Sequence, residues 1–141
     1  MANSDPISTM DYVKSLVDKH MEWHSDKEVY DVPEKWVSHA REINRRATLN
    51  RQLFPKIKGD CDDYSLTYIE LLMMYVPSDL LRIIVCNTEA GPHCVAGVDH
   101  QGKTYILDCN QPRVVEFGSL PYTWIKGMRY SEKGTWREIP K

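Results

Sequence analysis

Gly59-Asp60-Cys61-Asp62-Asp63-Tyr64-Ser65-Leu66-Thr67-Tyr68-Ile69-Glu70-Leu71-Leu72-Met73-Met74-Tyr75 opens polar, closes apolar and is followed by Val76-Pro77. A proline pushes the residue before it out of the α region, so the run reads as one helix from residue 60 to about 75. Its second half is nearly all apolar, which predicts a central, buried helix. Cys61 sits at its N-terminus, where unpaired backbone N–H groups and the helix dipole favour a thiolate. Asp60, Asp62 and Asp63 oppose that by like-charge repulsion, so an activated thiol here requires a histidine partner. A buried filler thiol is the plainer reading, but a run of acids around it is costly to desolvate.

Upstream, Ser8-Thr9-Met10-Asp11 fits a capping pattern and predicts a helix from residue 8 to about 24, with Tyr12, Val13, Leu16 and Val17 as its buried stripe. Asp31-Val32-Pro33-Glu34 opens a second helix with Asp31 as N-cap. There Trp36, Ala40, Ile43 and Ala47 recur at helical spacing, and Arg41, Arg45 and Arg46 make a solvated face. Downstream the period changes. Residues 82–86, 93–99 and 104–109 read as strands, and 114–117, 124–130 and 135–139 as further short ones. Helices first and strands afterwards predict an α+β domain, its antiparallel sheet packed on the central Cys-bearing helix.

Within that sheet, a hairpin of 93–99 and 104–109 with a tight turn at His100-Gln101 sets His93 directly opposite Asp108. Opposite residues share a sheet face with Cβ atoms about 5 Å apart, close enough for a carboxylate to accept from an imidazole N–H. A register slip of two residues leaves the two as diagonal neighbours on one face; a slip of one separates them. If the helix N-terminus packs at that face, thiol, imidazole and carboxylate form a triad. Asp108, at a strand end, has the alternative of bonding turn amides near Asn110.

The 141 residues, 42% of them apolar, suffice for one core, so the chain is read as a single domain over 1–141, with a helical part to residue 58 and the Cys helix plus sheet from 59. With 27% charged residues and a net charge of -2, no global field recruits nucleic acid or a membrane surface. The first ten residues lack a signal-peptide pattern and no stretch reaches membrane-spanning length, so a soluble, cytoplasmic protein is expected. The four cysteines Cys61, Cys86, Cys94 and Cys109 form no CxxC pair and are expected as free thiols.

Taken together, Gly59-Asp60-Cys61-Asp62-Asp63-Tyr64-Ser65, then His93-Cys94-Val95, then Tyr105-Ile106-Leu107-Asp108 resemble the bacterial transglutaminase-like cysteine peptidases, a branch of the papain-like superfamily. The resemblance implies Cys61 as nucleophile, His93 as general base and Asp108 as its orienting partner, acting on a protein or peptide with no required cofactor. Members that clip large surface adhesins are longer, periplasmic and calcium-dependent through acids beside the cysteine. By that resemblance Asp60, Asp62 and Asp63 are candidate calcium ligands; helix capping is the competing use of the same carboxylates. The aromatic, threonine-rich stretch those members carry before Gly-Asp-Cys is missing from 49–58, which implies a different substrate surface. Gln52 is the candidate side-chain donor for an oxyanion, beside the Cys61 N–H. The expected activity is thiol-dependent cleavage of a peptide or isopeptide bond. Amine transfer or glutamine deamidation with the same triad, or a non-catalytic interaction module that keeps the fold, are its alternatives.

Overall fold

Met10, Val13 and Val17 recur at helical spacing and are fully buried, which fixes the inner face of α1 (Pro6–His20). The computed structural model describes residues 6–24, 38–49 and 56–139. α1 starts earlier than the Ser8 pattern suggests, because Pro6 is pre-set for a first helical turn. It also stops earlier: Met21–Trp23 leaves the helix as β1 and pairs in parallel with β2 (Ile57–Gly59). Tyr12, expected inside, is 43% exposed. Lys14 is buried in its place, its charge answered by Asp18 Oδ2 at 2.6 Å.

α2 (Ala40–Leu49) buries Ala40 and Ile43, as the spacing predicts. The expected start at Asp31, and Trp36, lie outside the described residues. Ser38 and His39 are not helical, so Ala40 is itself a helix start, and Ser38 Oγ accepts its N–H at 3.3 Å. Arg46 corrects the expectation of a wholly solvated arginine face: it is buried and bonds Glu42 Oε1 at 3.1 Å one turn back.

α3 (Cys61–Leu72) is the central helix, but it is shorter than its apolar run. The Met73 N–H bonds Ile69 O, and successive turns then carry the chain away from the core, leaving Met73, Met74 and Tyr75 exposed. The strands β3 (Leu81–Thr88), β4 (Gly91–His100), β5 (Lys103–Leu107), β6 (Val115–Glu116), β7 (Thr123–Arg129) and β8 (Arg137–Glu138) form one sheet in the order β6-β5-β4-β3-β7-β8. All its neighbours are antiparallel. Alternation divides its two faces. Cys94, Ala96 and Val98 pack with α1 and α3, whereas Ile84, Val95 and Ile106 lie beneath Phe117, Tyr122 and Trp124. The architecture is α+β, with the Cys-bearing helix against an antiparallel sheet.

Gly59 joins β2 to that helix where a side chain has no room. A Cβ there would stand 2.7 Å from Met21 Cε and 2.9 Å from Asp63 Cβ. Gly59→Ala is therefore expected to cost about 1 to 3 kcal/mol as an overpacked site, read as a lower urea midpoint with an unchanged m-value. An unchanged midpoint would mean that the β2–α3 junction yields freely.

Candidate active site

Asp60, Asp63 and Ser65 in the Gly59–Ser65 run each have a positional task. Asp60 is the N-cap of α3: its Oδ1 accepts from Asp62 N at 3.1 Å and Asp63 N at 3.2 Å. Buried Asp63 completes the capping box, its Oδ2 accepting from Asp60 N at 3.3 Å. One turn on, buried Ser65 donates to Cys94 O at 3.0 Å and pins the helix to β4, at the residue that follows His93. Cys61, half-buried in the first turn, receives a backbone hydrogen bond from that same Cys94. The thiol and the start of β4 are thus held together by two bonds to one residue.

Asp60 and Asp63 serve as helix caps, one of the two uses expected of the three acids, while the Asp62 carboxylate accepts from Cys61 Sγ at 3.8 Å. Three aspartates in four residues have the hard-oxygen chemistry calcium takes. Among the described residues, however, the one set of three or more such side chains with ligand atoms within 4.8 Å of one another is His93, Asp108 and Cys109.

The hairpin brings His93 and Asp108 together, though not in the expected register. His100 pairs with Lys103, and the turn falls at Gln101-Gly102, where φ is 51° and 79°. Glycine is unstrained at such an angle, so the turn centres there rather than at His100-Gln101. The register shifts by two residues. β5 ends at Leu107 opposite Ala96, and Asp108 reaches His93 along the diagonal, on the same face. His93 Nε2 bonds Asp108 Oδ1 at 2.6 Å, and both side chains are buried. A carboxylate only accepts, so Nε2 carries the proton and Nδ1 is the basic nitrogen of the neutral ring.

Asp108 also does what the alternative asked of it: its Oδ1 accepts from Asn110 N at 2.9 Å. Its Oδ2 accepts from Tyr122 Oη at 2.6 Å. Burial pushes this carboxyl up, but hydrogen bonds from His93, Tyr122 and Asn110 outweigh it and hold the group below the usual carboxylate value. Tyr122 escapes a reading of the sequence. It sets its ring edge-on to His93, centroids 5.8 Å apart, and packs against Trp124. A tyrosine in the irregular segment just ahead of β7 carries no spacing that links it to a hairpin on the other side of β3.

Cys61 differs from the activated thiol expected of a helix N-terminus. Burial, then the charges of Asp62 and Asp60, push it up to about 12, against the pull of the Cys94 backbone bond. Gln52 lies outside the described residues. No helix among the described residues is long and apolar enough to cross a membrane.

The family model described as bacterial transglutaminase-like cysteine proteinase matches residues 1–141. Among solved structures, Legionella pneumophila LapG is similar at 17% identity with a TM-score of 0.70, the match covering 97% of this chain and 71% of LapG. Its calcium-bound form gives 17% and 0.72 over 97% and 71% of the two chains. Its EGTA-treated form gives 16% and 0.71 over 99% and 70%. At those identities the likeness establishes a shared fold. No curated protein matches the chain.

Proposed function

Since this chain belongs to the bacterial transglutaminase-like cysteine proteinases, we infer that it is a thiol peptidase, one domain over 1–141, working through Cys61, His93 and Asp108. In this reading His93 Nδ1 takes the Cys61 proton and the thiolate attacks an amide carbonyl. The imidazolium then protonates the leaving amine, and water, deprotonated by the same nitrogen, releases the acyl-enzyme. Asp108 keeps the ring in the required tautomer. The observation that carries the reading is the buried 2.6 Å His93–Asp108 bond, placed one residue from the Cys94 backbone that bonds Cys61. A protein or peptide is the proposed substrate. Amine transfer uses the same groups and differs only in the acceptor.

The setting of the thiol favours a second reading, a binding module that keeps the fold: burial and the neighbouring Asp62 and Asp60 charges favour the protonated Cys61. Calcium bears on the choice, because LapG has been solved both calcium-bound and EGTA-treated. Asp60, Asp62 and Asp63 are the acids beside Cys61; they would hold the ion only by leaving the cap arrangement of this structure, and its charge would then offset the carboxylates that keep Cys61 protonated. Each unit by which a thiol pKa falls raises the thiolate fraction about tenfold.

Alkylation of each cysteine by iodoacetamide at pH 7, followed by mass spectrometry, tests both points. In calcium, Cys61 is expected to react at least about tenfold faster than in EGTA and than Cys86, Cys94 or Cys109. His93→Ala should abolish that advantage. Should Cys61 in calcium react no faster than the other three cysteines, the peptidase reading fails and the binding module replaces it.

A further inference from the structure

We propose that His93, Asp108 and Cys109 form a zinc site whose occupation withdraws His93 from the thiol chemistry. The consequence for activity rests on the peptidase reading; the metal binding does not.

One ligand atom from each of the three side chains lies within 4.8 Å of the other two. Zinc–ligand bonds of about 2.0 to 2.3 Å set tetrahedral ligands roughly 3.3 to 3.8 Å apart, so shifts of about 1 Å complete the set: the His93–Asp108 pair, 2.6 Å apart in its hydrogen bond, opens, and the wider separations close. A nitrogen, an oxygen and a sulfur donor suit zinc; calcium and magnesium want oxygen alone. Three protein ligands leave a fourth position to water. The carboxylate is already oriented from behind, by Tyr122 Oη at 2.6 Å and by Asn110 N at 2.9 Å, as ligand carboxylates usually are. Cys109 is only half-buried, which gives the ion a way in. Sequence spacing hides the site, because His93 and Cys109 lie on opposite arms of a hairpin and no CxxC pair marks it.

On binding, the His93–Asp108 hydrogen bond is exchanged for one bond from each residue to zinc. The imidazole stays neutral, with its proton on the other ring nitrogen. The Cys109 thiol forms the sulfur–zinc bond and releases its proton to solvent. With its lone pair on the metal and its carboxylate partner engaged, the ring no longer accepts a proton from Cys61.

Cobalt(II) titration of the full chain reads the site without any substrate. Wild type and Cys61→Ser are expected to show the near-ultraviolet thiolate-to-cobalt band and the visible bands of a tetrahedral ion, both erased by zinc. Cys109→Ser, a one-atom change checked by circular dichroism, should lose the thiolate band and bind zinc at least about tenfold more weakly. A band that survives Cys109→Ser, or that disappears in Cys61→Ser, overturns the site. The regulatory part is read separately: zinc should slow Cys61 alkylation in wild type, reversibly with a chelator, and leave it unchanged in Cys109→Ser. Equal slowing in both proteins, or none in either, overturns it. A Cys61 with no reactivity advantage even in calcium and without zinc sinks the peptidase reading, while the cobalt band still decides the site.

Discussion

Cys61→Ser is expected to lower peptide cleavage by roughly 10⁴-fold or more while the fold stays intact. The size follows from the chemistry. A serine hydroxyl beside Asp60 and Asp62 has no accessible anion near neutral pH, and Asp63 and Tyr64 in the same turn are buried. The unchanged fold follows from the contacts. α3 is anchored by the Asp60–Asp63 capping box and by Ser65 on Cys94 O, neither of which uses the sulfur. The check is kcat/KM on a peptide selected from a proteome digest, with circular dichroism alongside. A variant that keeps more than about one hundredth of wild-type turnover rules Cys61 out as the nucleophile.

Asp108→Asn should be nearly as damaging, and by a different route. Three donors converge on this carboxylate: His93 Nε2, Asn110 N and Tyr122 Oη. An amide has one oxygen and an NH₂ that faces donors, so at least one partner is left unsatisfied in a buried place, at a cost of about 1 to 3 kcal/mol. The ring loses the acceptor that fixes its proton on Nε2, and kcat is expected to fall by roughly 10² to 10⁴. The sign of the pH effect follows from the lowered carboxyl. Its stabilisation is present above the carboxylate's unfolded pKa and is lost as pH falls through the lower folded value; the amide variant lacks that acid-sensitive part. Urea unfolding at neutral and acidic pH should therefore show the gap between wild type and variant narrowing in acid. A gap that widens in acid would show that Asp108 is not held as the anion.

The helix that carries Cys61 is legible in the sequence because its start and stop signals are local: an aspartate cap at one end and Val76-Pro77 beyond the other. Its end at Leu72 is not, since Met73, Met74 and Tyr75 are as apolar as the residues before them and only tertiary packing decides which are covered. Sequence pairs His93 with Asp108 correctly by face and wrongly by register. Period-two alternation fixes the face, whereas the turn fixes the register, and Gly102 draws the turn toward itself. The β1–β2 pairing joins segments of three residues each, too short for any periodicity to register. The helix end expected to tune Cys61 is present; burial and adjacent carboxylates outweigh it.

The order of the elements along the chain also sets a sequence in time. As the chain leaves the ribosome, the thiol emerges with α3, the imidazole follows on β4, the carboxylate arrives after β5, and Tyr122 comes last, carried in by β7 on the far side of β3. A nascent chain that stops short of Tyr122 holds Cys61, His93 and Asp108 in covalent order but not the phenol that holds the carboxylate from its second oxygen. The protein is thus built with the Cys61 thiol first and the phenol that restrains Asp108 last, so that an unfinished copy lacks the full constellation.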